Sequence, residues 1–253
     1  MYRDYRLQTA RLRLRAWRPG DAESLAAACN TTPVMRWLGG LQTQRQLEAD
    51  LEYFIASEAQ HGFTFWALER RADNAFMGFC GLIRIPDRDC PVQGELEIGW
   101  RIRESDWRSG YGFEAAHAVL SFTFDTMRMK VVYSRTAAGN KASRKLMDKL
   151  GLKRCPELDY VPTGENAKLL IYSISIDDRE KLHATRRVAN SALEQPTIGS
   201  GFVESDTFTD DVGGYVTSFE WWTKHRVEKF EELIENEEWF GKKRDWRRKK
   251  PRA

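Results

Sequence analysis

The chain runs to 253 residues, 42% apolar and 30% charged, with a formal net charge of +3. That composition supports a buried core and does not by itself point to nucleic acid; no run approaches the ~18 consecutive apolar residues of a membrane span, and residues 1–6 lack the apolar segment of a secretory signal. Cys29, Cys80, Cys90 and Cys155 form no Cys-x-x-Cys and the four histidines form no pair at ligand spacing, so reduced thiols, a cytoplasmic setting, no membrane and no metal site are expected.

Residues 7–17 contain Arg-Leu-Arg-Leu-Arg-Ala-Trp, an alternation that predicts one strand with Leu12 and Leu14 on its buried face. Pro19-Gly20-Asp21 turns the chain, with Asp21 the expected cap of a helix through Cys29. Residues 34–40 predict a short helical turn ended by Gly39 and Gly40. Residues 43–60 carry Leu47, Leu51, Phe54 and Ile55 at helical spacing, closed by His61 and Gly62. Residues 63–70 and 76–85 predict two antiparallel strands joined at Ala72-Asp73-Asn74, followed by a loop over 85–91.

In residues 94–103, Leu96, Ile98, Trp100 and Ile102 point one way and Glu95, Glu97, Gly99 and Arg101 the other. This is a strand with one apolar face and one face carrying carboxylates. A loop with Gly110 and Gly112 follows, then a helix expected from Phe113 that buries Ala116, Leu120, Phe124 and Met127. Strand, glycine loop and helix N-terminus make an anion cradle, because the first helical N–H groups are unpaired and the helix dipole favours negative charge there. A β-branched strand at 130–135 leads to a second helix opening at Asn140, burying Ala142, Leu146 and Leu150 and capped by Gly151. Residues 168–176 complete the sheet. The sum is an α+β (α/β three-layer) domain.

From about Asp177 the composition changes. Residues 1–180 form the expected domain, 181–216 a polar, glycine-containing linker of flexible character, and 217–253 a helical extension. Thr217-Ser-Phe-Glu220 has a capping-box pattern, with Phe219, Trp222, Val227, Phe230 and Ile234 at helical spacing. Residues 241–253 hold eight Lys or Arg against Asp245 alone, a net of +7 that leaves −4 for the rest of the +3 chain. A helix that docks on its own domain or on a second copy, as in a homodimer, with a solvated basic end, is favoured over contact with RNA, the ribosome or an acidic protein through Trp239, Trp246 and the basic run.

The succession Glu97-Ile-Gly-Trp, Trp107-Arg-Ser-Gly-Tyr-Gly-Phe-Glu-Ala, and Asn140-Lys-Ala-Ser-Arg-Lys-Leu-Met-Asp-Lys-Leu-Gly resembles the GNAT acetyltransferases. It is most similar to the branch that includes the ribosomal-protein N-terminal acetyltransferases, and the resemblance runs from Leu7 to about Ile176. It implies a mixed, mostly antiparallel sheet flanked by helices, and acetyl-CoA as co-substrate. The pyrophosphate is expected on backbone N–H groups of Arg108, Ser109, Gly110, Tyr111, Gly112 and Phe113. Main-chain contacts to the pantetheine arm are expected at Trp100 and Ile102, and Asn140 is expected to bond that arm, to cap its helix, or both. A backbone N–H near Trp100–Arg101 is the expected donor to the thioester oxygen.

Glu97 matches the carboxylate that this branch carries on the strand, which implies a general base acting directly or through water; Glu95 is the fallback, and a glutamate bound to a neighbouring arginine is the competing role. Many relatives protonate the leaving thiolate from a tyrosine seven residues after the asparagine. Met147 stands there in this chain, and Ser143, three after the asparagine, is the branch's substitute. The two early helices are implied as one wall of the acceptor site, with Trp37, Tyr53 and Phe54 lining it or serving as core. The implied activity is acetyl transfer from acetyl-CoA to a primary amine in a ternary complex. A non-catalytic acyl-CoA-binding module that uses the helical tail for interactions is the competing expectation.

Overall fold

In a computed structural model, which describes residues 5–182, the first strand signal is divided in two. β1 (Tyr5–Gln8) and β2 (Leu12–Arg15) pair antiparallel. Thr9 closes the turn between them: its N–H donates to the Leu12 carbonyl at 3.0 Å, and its hydroxyl accepts from the Leu12 N–H at 3.0 Å. The single strand expected over 7–17 is therefore a hairpin, although Leu12 and Leu14 are buried as their alternation required. The linker and tail expected at 181–216 and 217–253 lie outside the described residues, except that 181 and 182 end a helical run over 176–182.

α1 (Asp21–Cys29) starts from Gly20 in a left-handed conformation, and Asp21 does not cap it. The Asp21 carboxylate is buried against Arg15, at 2.7 and 2.9 Å, and also accepts the Arg18 N–H at 2.7 Å. Glu69 takes a further bond from Arg15 at 2.5 Å. A buried guanidinium needs such partners, and they outweigh the local capping preference. α2 (Thr32–Met35) is one turn. α3 (Gln44–His61) opens with a reciprocal capping box between Thr43 and Gln46 and stops at Gly62.

The remaining strands are β3 (Phe65–Arg70), β4 (Phe76–Arg84), β5 (Leu96–Ile102), β6 (Val131–Ala137), β7 (Lys153–Arg154) and β8 (Leu169–Ser175). Among the described residues the sheet has eight strands in the order β1-β2-β3-β4-β5-β6-β8-β7. Every neighbouring pair is antiparallel except β5 with β6. α4 (Tyr111–Ser121) begins two residues before the expected Phe113, because Gly110 adopts the left-handed conformation that starts it. Its end widens into a π-helical turn over Phe122–Thr126 that keeps Phe124 buried. α5 (Lys141–Leu150) opens at Asn140 and closes at Gly151.

Two cores separate the layers. Leu12, Leu14, Leu96, Ile98, Ala116, Leu120, Phe124, Met147 and Leu150 pack α4 and α5 on one face of the sheet. Trp17, Leu25, Leu47, Leu51, Phe54, Ala67 and Phe79 pack α1 and α3 on the other. The α+β three-layer arrangement is the expected one. No helix among the described residues is long and apolar enough to cross a membrane.

Candidate active site

The parallel strands β5 and β6 meet at one residue pair, Glu97 with Tyr133. Just beyond it the Ser134 hydroxyl reaches across to the Ile98 carbonyl at 2.9 Å. Further along no pairing joins them, whereas β5 stays paired with β4 through Ile102. Bonds from the Ile85 N–H to the Glu95 carbonyl and from the Arg103 N–H to the Met77 carbonyl, both 2.9 Å, fix the alternation: odd-numbered β5 residues bond β4. Trp100 and Ile102 therefore turn their N–H and C=O groups toward the gap. An unpaired edge inside a sheet accepts another extended chain, and an amide-bearing arm meets that requirement. The gap thus fits the pantetheine portion of acetyl-CoA. One refinement applies at Ile102, whose carbonyl already accepts the Trp107 indole N–H at 2.8 Å. By the same alternation the N–H of Trp100 faces the gap, whereas that of Arg101 faces β4.

The loop after β5 is tied down by buried Asp106, which accepts from Arg70 at 3.0 Å and closely from Arg103. None of the six consecutive N–H groups from Arg108 to Phe113 donates to a partner among the described residues; the first helical bond is Glu114 N–H to the Gly110 carbonyl, at 3.1 Å. At Gly110, φ is 81°, a left-handed conformation that a β-carbon disfavours. Gly112 carries a second constraint beside its unpaired N–H. A β-carbon there would lie 3.2 Å from Leu146 and 3.3 Å from Ile102, so its smallness seats α4 against the sheet and α5.

Arg11, in the β1–β2 turn, completes this cradle and was not singled out from the sequence. Its Nε donates to Glu114 at 2.6 Å, its Nη1 to the Ser109 carbonyl at 3.0 Å, and its guanidinium lies 4.4 Å over the Tyr111 ring. Glu114 also accepts from the Thr9 hydroxyl at 2.5 Å and the Arg11 N–H at 2.9 Å. Burial pushes the Glu114 carboxyl upward, but these three donated bonds and the charge of Arg11 outweigh it and hold it below its ordinary value. Thus a carboxylate in the first turn of α4 is neutralised by a cation beside the anion cradle.

Across the sheet, on the α1–α3 side, the chemistry is carried by side chains. Glu97 is buried, and Arg135 of β6 grips both of its oxygens, from Nε at 3.1 Å and Nη2 at 2.7 Å. Arg135 Nη1 donates to the Tyr160 hydroxyl at 2.7 Å, which donates in turn to Asp87 at 2.7 Å. Burial lowers the pKa of Arg135, yet the charge of Glu97 and the hydrogen bonds hold it above its ordinary value. Glu97 thus has the neighbouring arginine of the competing expectation, because β6 brings a cation directly opposite. Glu95 is exposed.

Tyr53 borders the same cleft. Burial, then the charge of Glu97, pushes its hydroxyl up to about 12, so it stays protonated. Trp37 reaches over to the loop before α5, where a β-carbon on Gly139 would lie 2.3 Å from its ring. Phe54, by contrast, is core, stacked on Trp17 at 5.7 Å. At the second helix, Asn140 accepts the Ser143 N–H at 3.2 Å and so caps α5, and Ser143 is half-buried beside it. Met147 is sealed in the core.

A family model described as an acetyltransferase (GNAT) domain matches residues 11–153. YkkB of Bacillus subtilis, an uncharacterized protein, is 29% identical over 148 residues, which are 58% of this chain and 84% of YkkB. A GNAT-family acetyltransferase structure from Bacillus anthracis superposes with a TM-score of 0.56 at 21% identity, covering 67% of this chain and 97% of that one. Spermidine N-acetyltransferase from Vibrio cholerae, solved with CoA and spermine, gives a TM-score of 0.53 at 17% identity over 67% of this chain and 98% of that one. The splayed β5–β6 edge, the cradle at α4 and the match over more than half of the length agree: the chain belongs to the GNAT acetyltransferase family and is an acetyl-CoA-dependent acyltransferase.

Proposed function

We propose that this protein transfers the acetyl group of acetyl-CoA to a primary amine, by direct attack within a ternary complex. The observation that carries the reading is the adjacency of two unsatisfied backbone surfaces, the Trp100 edge of β5 and the run of free N–H groups from Arg108 to Phe113. Acetyl-CoA supplies the activated acyl group. The N–H groups of the cradle hold its pyrophosphate, with Gly110 allowing close approach and Arg11 adding a nearby positive charge. Trp100 and the Ile102 N–H align the pantetheine, and Asn140 borders it. The Trp100 N–H donates to the acyl oxygen as negative charge develops there, a term that in acyl transfer commonly outweighs proton transfer.

Glu97, fixed in place by Arg135, orients the incoming ammonium, which loses its proton to water. Ser143 is the candidate donor of a proton to the leaving thiolate, but thiols leave readily as anions at a reference pKa of about 8.5, so its contribution is small. Release of CoA thiol is the test, with amino acids, polyamines, peptides and aminoacyl-tRNA as acceptors; turnover on at least one class is expected. Tight acetyl-CoA binding with no turnover on any of them would replace this reading with a CoA-binding module. In Glu97→Gln, KM for the amine should rise about tenfold or more, while the pH dependence of kcat keeps its midpoint. A displaced midpoint would restore Glu97 as the base. The cytoplasm is the expected setting.

A further inference from the structure

This inference rests on the acyl-transfer reading and narrows its acceptor. Arg101 leaves β5 on the Glu97 face, close to the end of α1 and to the segment between α2 and α3. Its guanidinium lies 5.0 Å over the Phe79 ring, and its Nη1 donates to the Gln42 side-chain carbonyl at 2.9 Å. Its Nε is buried without a hydrogen-bond partner, and among the described residues no other arginine has such an atom. Arg15 meets Asp21 and Glu69, and Arg135 meets Glu97, but Arg101 meets an amide.

That amide is held in place. Asn30 clamps the Gln42 backbone with bonds of 2.7 and 2.9 Å, and Gln42 Nε2 donates to Asp50 at 2.8 Å, which leaves the Gln42 carbonyl turned to the arginine. A guanidinium has five N–H donors, and one neutral acceptor leaves it poorly satisfied in a partly buried site. Burial holds its pKa below the ordinary value, with Asp50 offsetting part of the effect. Arg101 also follows Trp100 directly. An anion on its fork and an amine presented at Trp100 therefore belong to one compact molecule. In the segment that leads into Gln42, Trp37, Leu38 and Leu41 are 39%, 46% and 61% exposed, an apolar surface suited to an apolar body.

We propose that the acceptor is a small amino carboxylate with an apolar side group, its carboxylate received by the planar fork of Arg101. The experiment uses matched pairs that differ only at the carboxylate: phenylalanine with phenylalaninamide, and leucine with leucinamide. Spermidine and a neutral tetrapeptide stand beside them, and CoA release is followed in the full chain. Wild-type kcat/KM for the carboxylate member should exceed that for the amide at least tenfold. Arg101→Met should bring that ratio near one, and Arg101→Lys should leave it in between. A purely structural Arg101 would lower Tm and both activities alike, so an unchanged ratio in Arg101→Met overturns the proposal. Equal use of both members by wild type, or preference for spermidine or the tetrapeptide, overturns it as well while leaving amine acetylation standing. Silence on every amine by protein that binds acetyl-CoA overturns the acyl-transfer reading beneath it.

Discussion

The two sides of β5 solve recognition in different materials. Toward β6 and α4 the surface on offer is backbone: the Trp100 edge and the N–H groups before Glu114. Toward α1 and α3 it is charge on long side chains, Glu97 with Arg135 and Arg101 with Gln42. Backbone groups persist under most substitutions, since only a change of conformation removes them. Side-chain sites change with a single residue. A family can therefore keep one donor while its members diverge in acceptor, and the acceptor must be read from individual residues of each chain.

The largest expected effect breaks the side-chain half. Arg135→Met leaves a buried carboxylate unpaired, and urea unfolding should show a loss of about 3–5 kcal/mol, with the double variant Glu97→Gln/Arg135→Met recovering most of it. A loss below about 1 kcal/mol would mean that the pair behaves as an exposed one. On the backbone half, Gly110→Val should weaken CoA binding at least tenfold by calorimetry, about 1.4 kcal/mol. Ser109→Ala, which keeps every N–H, should stay within about twofold. Comparable losses in the two variants would show that the cradle works through side chains after all.

The smallest effect is a pH dependence at the edge of the backbone half. Glu114 is held below its ordinary value by Thr9 and Arg11, so it contributes stability above the ordinary carboxylate range near about 4.3. That contribution is lost as pH falls through the lower folded value. Glu114→Gln should flatten the acid side of the Tm profile, and an unaltered acid limb would remove Glu114 from the balance.

Strand alternation and helical spacing were sufficient to find β5, α3 and α5, but not every buried position: Ala142 and Ile55 are exposed, and Met147 is buried in α5 with Leu150. The β1–β2 hairpin escaped notice since Thr9-Ala-Arg11 holds neither glycine nor proline and its turn is closed by a threonine hydroxyl. Gly110 was legible as part of an anion cradle, but not as the residue that starts α4 two positions early. The environment of Glu97 was out of reach for a physical reason. Its partner Arg135 lies 38 residues away, and Asp87 stands 73 residues from the Tyr160 that completes the chain of bonds. Local periodicity carries no information on such pairings. Arg101 occupies the middle case, since its face was legible but its missing acid was not.

The clasp of Arg11 on Glu114 joins positions 103 residues apart. Such a closure belongs to the non-local part of folding, where the entropy of a long loop is lost before its contacts form. The anion cradle is thus finished only when the first hairpin has found the centre of the sheet. During refolding, the return of CoA binding should lag behind the return of helical signal, so that the ligand acts as a clock for the last step of assembly.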